Sequence, residues 1–261
     1  MHSKDLRLLK RIQSFFGVGT IRVRKQNNQV IYSVKSIKDL TNCIIPHFLK
    51  YPLLTQKRGD FELLKMVVEL MNAKEHLTTE GLRRILAIRA SMNKGLTAVL
   101  AEAFPNITSV ERPTFELPES IDPNWLVGFV DAESCFLVSI FKSNAKIGLT
   151  ARMVFKVTQH TRDAQLMERL VAYLGCGKYY APSRNKPGDY IVTKFSDINN
   201  KIIPFFQKYP LSGSKAAEFA DFKEIARIIR EKGHTIESGL EEIRLIKSRM
   251  KKGRAVGDSK R

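Results

Sequence analysis

The sequence predicts an α/β protein of the α+β type, made of two tandem copies of one αββαββα unit, each with an antiparallel sheet. Three observations predict it. The first is an internal repeat: residues 4–95 match residues 162–253 at a constant shift of about 158 positions, without a gap and with roughly thirty identities, so both halves should share one fold. Phe16-Gly17-Val18-Gly19 answers Leu174-Gly175-Cys176-Gly177, and IIPHFLKYPL from Ile44 answers IIPFFQKYPL from Ile202. The second is a change of apolar period within the later copy, from helical spacing to strict alternation and back. The third is the stretch 96–120, which holds Pro105, Pro113 and Pro118 and little periodicity, as suits a linker. The chain thus divides into a first repeat over 1–95, a linker over 96–120, a second repeat over 121–253 and a polar tail over 254–261.

The elements of the second copy follow in order. Asp122 and Pro123 form an N-cap and a proline at the first helical position, and the apolar run from Trp125 to Val130 continues a helix of about three turns. Alternation rich in β-branched residues predicts strands over 134–142 and 148–159. Thr161 is expected to cap a helix over 163–174, where Leu166, Leu170 and Leu174 form one buried stripe. Gly175 and Gly177 end that helix. Two more strands, over 178–183 and 189–195, flank the turn-forming Asn185-Lys186-Pro187-Gly188, and helices follow over 197–206, 215–231 and 237–252. The first copy begins only at the second helix of this pattern, so it is expected to lack the initial helix and strands.

Composition narrows the partners. The 261 residues are 43% hydrophobic, which supports packed cores and argues against disorder of the whole chain. Lys and Arg number 44 against 26 Asp and Glu, a formal charge of +18 that favours a polyanion through phosphate neutralisation and counterion release. Cys43, Cys135 and Cys176 lie far apart, with no disulfide or zinc spacing. No apolar run approaches a membrane span and no signal-peptide core is visible, so no membrane partner is expected.

The stretch Leu126-Val127-Gly128-Phe129-Val130-Asp131-Ala132-Glu133-Ser134 carries the chemistry. Gly128 and Ala132 are four apart, share a helix face and allow close approach of a second helix. The nine residues, with the FLVSI, FKVTQHTRD, GCGKYY and KYPL segments that follow, resemble the signature of LAGLIDADG homing endonucleases of the monomeric, two-repeat, organellar intron-encoded type, over nearly the whole chain. The match departs at the last position, where Ser134 replaces glycine. The resemblance implies Glu133 as the metal ligand, for Mg²⁺ or a similar divalent cation, and a structural role for Asp131. It implies hydrolysis of a phosphodiester on each strand of double-stranded DNA, with Gln159 ordering water and Lys215 and its repeat mate Lys57 stabilising charge. It also implies a mitochondrial location.

Counting in twos from Glu133 assigns the DNA-facing side of the strands. Ser139 and Phe141 lie on it beyond Leu137, followed by Arg152, Lys156 and Thr158, which leaves Met153, Phe155 and Val157 for the core. Lys178, Tyr180, Arg184 and Thr193 extend this side. In the first copy Thr20, Arg22, Arg24 and Gln26 alternate with Ile21 and Val23, and Ser33 and Lys35 complete the set. An antiparallel ribbon of this kind fits the major groove, where Arg and Lys bond guanine and Gln bonds adenine.

Shifting the motif back by one repeat places its partner before Met1, so roughly forty residues of the first copy are expected to be missing from this chain. A metal pocket of this family draws one acid from each of two helices, and the chain supplies Glu133. Three readings stay open: an active endonuclease with a further segment, a DNA- or intron-RNA-binding form such as a splicing maturase, and a chain that self-associates through its motif. The chain as given is expected to bind DNA and to cut it poorly.

Overall fold

The computed structural model describes residues 1–92, 95–182 and 186–252, so Arg184 and the tail over 254–261 lie outside the described residues. The chain divides into two compact units, Met1–Leu117 and a second that starts at Pro118.

In the second unit the helix Pro123–Glu133 begins as the sequence predicts. Asp122 Oδ1 accepts from the backbone N–H groups of Asn124 (2.7 Å) and Trp125 (3.1 Å), and Pro123 occupies the first turn, where its missing N–H has no helical partner to lose. The helix buries Leu126, Val127 and Val130 and runs straight into strand β3, Ser134–Lys142. With β4 (Leu149–His160), β5 (Lys178–Tyr180) and β6 (Pro187–Val192) it builds an antiparallel sheet of order β3-β4-β6-β5. Pairing of Ser134 with Val157 and of Thr158 with Asp189 places Phe136, Val138, Met153, Phe155, Val157, Tyr190 and Val192 on one face, and all are buried.

Helices Ala164–Leu174 and Lys215–Arg230 cover that face through Leu166, Met167 and Leu170 and through Phe219, Phe222 and Ile225. Phe136 and Phe222 meet with ring centroids 5.1 Å apart, Phe155 and Phe206 at 5.6 Å. Truncating a core ring such as Phe155 to alanine costs about 3–5 kcal/mol, so this packing holds the outer face of the sheet in shape.

Four details correct the sequence reading. Thr161 does not cap the following helix: it opens a 3₁₀ turn, Thr161–Asp163, and His160 Nδ1 accepts from Arg162 N at 3.2 Å. Strand β5 has three residues, and β6 starts earlier, at Pro187, and stops at Val192. The next helix runs from Phe195 through a π-turn, Ile198–Ile202, into Ile203–Lys208. Pro204 lacks the N–H that an α-helical ladder requires, and the turn before it widens to five-residue bonding. The first unit repeats this at Leu40–Ile44, just before Pro46.

The first unit follows the later copy element by element. Helix Leu6–Phe16 corresponds to Ala164–Leu174, Lys57–Asn72 to Lys215–Arg230 and Thr79–Ala90 to the start of Glu237–Lys252. Gly19 and Gly177 sit at φ +84° and +78°, where a Cβ would lie 2.8 Å from Ser33 O and from Ile191 O respectively. The Tyr32 hydroxyl donates to Val18 O (2.9 Å) as the Tyr190 hydroxyl donates to Cys176 O (2.8 Å). The first unit's sheet has two strands, β1 (Thr20–Arg24) and β2 (Gln29–Ser33), and His2 bridges to Gln29.

The stretch read as a linker is partly built into the first unit. It carries a helix, Ala98–Ala103, and Arg112 donates to Asp60 Oδ1 (2.8 Å), Gln56 O (2.7 Å) and Ser91 O (3.0 Å). Ion pairing and carbonyl bonding to a single guanidinium supply the order that apolar periodicity does not announce.

Candidate active site and nucleic-acid interface

Glu133 is the last residue of the helix Pro123–Glu133, where the chain turns extended into β3. It keeps part of its surface open, while burial of the carboxyl pushes its pKa above the ordinary carboxylate value because the charged form loses water. Two residues earlier, Asp131 has a different task. Its carboxylate accepts from Ser212 N at 2.8 Å and Gly213 N at 3.3 Å, tying the end of this helix to the loop that leads into Lys215.

Register brings Gln159 to the same end of the sheet. Val157 pairs with Ser134, so Gln159 runs past the first residue of β3, opposite Gly188 of β6, with its Oε1 accepting from His160 N at 2.9 Å. Lys215 starts its helix with its side chain only 12% exposed and its Nζ 2.9 Å from Glu218 Oε2. Lys57, in the first unit, is 57% exposed and lies 3.5 Å from Asp60. Sequence reasoning missed both acids. They stand one helical turn beyond each lysine and coincide under the repeat, a signal that was available. Gly128 and Ala132 face outward, and a Cβ on Gly128 would meet nothing within 4 Å.

The strand parity read from the sequence matches the sheet. Ser139 pairs with Arg152 and Phe141 with Thr150, and Ser139, Phe141 and Arg152 are exposed, with the Arg152 guanidinium 4.7 Å from the Phe141 ring centroid. Lys156 and Thr158 lie on the same side, as do Lys178 and the exposed Tyr180. An acid that sequence reasoning missed joins them: Asp189 Oδ1 accepts from Thr158 Oγ1 at 2.6 Å, and its Oδ2 lies 3.4 Å from Lys156 Nζ.

In the first unit Thr20, Arg22 and Arg24 are exposed on one side of β1, with Ser33 opposite Thr20. Gln26 departs from the expected alternation, because β1 ends at Arg24 and Gln26 lies in the 3₁₀ turn Lys25–Asn27. Val23, which alternates with Arg22 and Arg24 on the opposite side of the strand, is 51% exposed. Lys35 and its repeat mate Thr193 are exposed just beyond β2 and β6 rather than within them.

Among the described residues no group of three His, Cys, Asp or Glu side chains could hold a metal ion by itself. Glu133 is a single carboxylate, open to solvent on part of its surface and set where a basic sheet face begins. That donor set fits a hard cation of the Mg²⁺ type, which takes one or two carboxylates and completes its shell with substrate phosphates and water.

The LAGLIDADG endonuclease family model matches residues 1–68 and 126–226. The chain is 39% identical over 251 residues to the probable intron-encoded endonuclease 3 of Neurospora crassa, covering 95% of this chain and 47% of that protein. It is 39% identical over 257 residues to the probable intron-encoded endonuclease 2 of the same organism, covering 93% and 55%. The chain thus spans about half the length of these two relatives. A shorter match, 47% over 75 residues, is to a Podospora anserina protein of ND4 intron 1, covering 29% of this chain and 16% of that one.

Among solved structures, the I-SmaMI LAGLIDADG homing endonuclease bound to cleaved DNA superposes with a TM-score of 0.94 at 44% identity, covering 97% of this chain and 85% of that one. Further forms of I-SmaMI include one bound to uncleaved DNA in the presence of calcium ions and one with two lysines changed to alanine. With the family model covering well over half of its residues and the fold matching a solved member nearly end to end, this chain belongs to the LAGLIDADG endonuclease family.

Proposed function

We propose that the chain is a site-specific DNA endonuclease of the intron-encoded kind, hydrolysing phosphodiesters in double-stranded DNA with Mg²⁺ or a similar divalent cation. The observation that carries this reading is the placement of Glu133 at the end of its helix, where the outward face of a basic antiparallel sheet begins. In this reading the outward faces of β1–β2 and of β3–β6 contact base edges and phosphates along the major groove. Glu133 and DNA phosphate oxygens together hold the cation, and Gln159 orients the attacking water. The cation, when bound, lowers the pKa of that water and neutralises charge on the leaving oxygen.

Lys215 and Lys57 supply positive charge, one from each unit. The two lysines altered in the I-SmaMI double variant are spaced within one residue of the roughly 158 positions that separate Lys57 from Lys215, which supports this assignment. The intron-encoded names of the relatives, including the one from an ND4 intron, support a mitochondrial origin.

The test is cleavage of a duplex selected from a randomised pool, with Mg²⁺ and with chelator. Cutting, expected to be weak for the chain as given, should require the cation, and Glu133→Gln should abolish it while changing affinity less than about threefold, because the amide keeps the shape and loses the charge. Full activity after the Glu133→Gln substitution would remove Glu133 from the chemistry.

A further inference from the structure

Asp189 stands on the outward sheet face of the second unit, toward the end where β3 begins, in a cross-strand row with Thr158 of β4 and Tyr180 of β5. Its neighbours on that face include Lys156 and Lys178. A carboxylate there repels phosphate and offsets part of the counterion release that drives binding, so backbone contacts do not account for it. What a carboxylate favours is a donor. In the major groove the N4 amine of cytosine is such a donor.

The geometry leaves Asp189 able to act this way. Thr158 Oγ1 occupies one lone pair of Oδ1 at 2.6 Å, and Lys156 Nζ stands 3.4 Å from Oδ2, while each ionised oxygen has a second acceptor site. The Asp189 and Lys156 side chains are 32% and 29% exposed, open enough to be reached and confined enough to hold one direction. Lys156 carries a long flexible stem. The ion pair restricts it before DNA arrives, which lowers the ordering cost on binding.

We propose that Asp189 is a specificity-determining residue: it accepts from the N4 amine of one cytosine and, by holding Lys156, aims that ammonium at the guanine acceptors of a neighbouring base pair. This rests on the sheet-in-groove reading given under Proposed function.

The test compares the unaltered chain with Asp189→Ala and Asp189→Asn by selection from a randomised duplex pool, with Ca²⁺ replacing Mg²⁺ to limit cutting, alongside thermal melts. The unaltered chain should prefer cytosine at one position by about tenfold, with guanine favoured next to it. Asp189→Ala should flatten the first preference and weaken the second. Asp189→Asn should move the first preference from cytosine to adenine, because an amide presents the donor and acceptor that adenine N7 and N6 require.

Tighter binding of every sequence by Asp189→Ala, with an unchanged base profile, would overturn the proposal and leave Asp189 as a repulsive charge only. A uniform loss of affinity accompanied by a lower Tm would overturn it in favour of a structural role. An unaltered chain that enriches no sequence would overturn the DNA-recognition reading beneath it, an outcome distinct from both.

Discussion

Asp131 and Glu133 lie two residues apart at the end of one helix, yet the structure gives them separate work, and replacing Asp131 by alanine tests the separation. The substitution removes the acceptor for Ser212 N (2.8 Å) and Gly213 N (3.3 Å). A hydrogen bond to a charged group contributes about 1.5–3 kcal/mol. The bond to Ser212 is short but reachable by water, and the one to Gly213 is long and shared between both oxygens, so their joint loss is set at about 2 kcal/mol. For a unit of this size that corresponds to a Tm lower by about 4–8 °C. Asparagine keeps one acceptor oxygen and should lose about half as much.

The loop that Asp131 holds leads directly into Lys215, so Asp131→Ala should also lower kcat while leaving the Mg²⁺ concentration needed for half-maximal cleavage unchanged. Thermal melts and a metal titration of the cleavage rate read both quantities on one preparation. A Tm within about 1 °C of the unaltered chain would refute the anchoring argument. A strong shift in metal requirement would refute the division of labour and make Asp131 a ligand.

Other consequences follow from the same contacts. Lys215→Ala strands the buried Glu218 carboxylate and should cost about 3 kcal/mol in denaturant unfolding, whereas Lys57→Ala removes an exposed lysine from an Asp60 that keeps its pair with Arg112 and should cost under about 1 kcal/mol. Alanine at Arg22, Arg24 or Arg152 should each reduce the logarithmic salt slope of DNA binding by about 0.9 per lost phosphate contact, and Lys156→Ala by less, because Asp189 already balances its charge. Burial pushes the Tyr190 hydroxyl well above the ordinary tyrosine range. The unfolded chain therefore releases that proton first as pH rises past about 10, and the stability Tyr190 confers is complete below that point and declines above it. Urea unfolding at neutral and alkaline pH should show a smaller decline for Tyr190→Phe, which loses about 1 kcal/mol at neutral pH with its bond to Cys176 O.

Much of this molecule was legible before folding. The span of β3, the start and end of the helix Pro123–Glu133 and the outward parity of Ser139, Arg152 and Lys156 all follow from residue period and capping chemistry, which act over a few positions. The repeat carried those readings from one copy to the other, down to the paired tyrosines Tyr32 and Tyr190. The π-turns were also encoded locally, since each precedes the proline of an Ile-Ile-Pro run, but apolar spacing alone does not distinguish a π-turn from an α-turn.

By itself, then, the sequence determined the two-copy architecture, the motif that ends in Glu133 and the side of each strand that faces outward, because period and repetition are properties of neighbouring residues. Tertiary structure alone decided which groups restrain the site. Asp131 reaches backbone some eighty positions away, Asp189 crosses from β6 to Lys156 and Thr158, and Arg112 draws the supposed linker onto Gln56, Asp60 and Ser91. It also decided that the Lys215 side chain is largely covered, at 12% exposure, while that of its repeat mate Lys57 is 57% exposed. Such partners are chosen by strand register and by what packs over each side chain, and neither is written in the residues on either side of it.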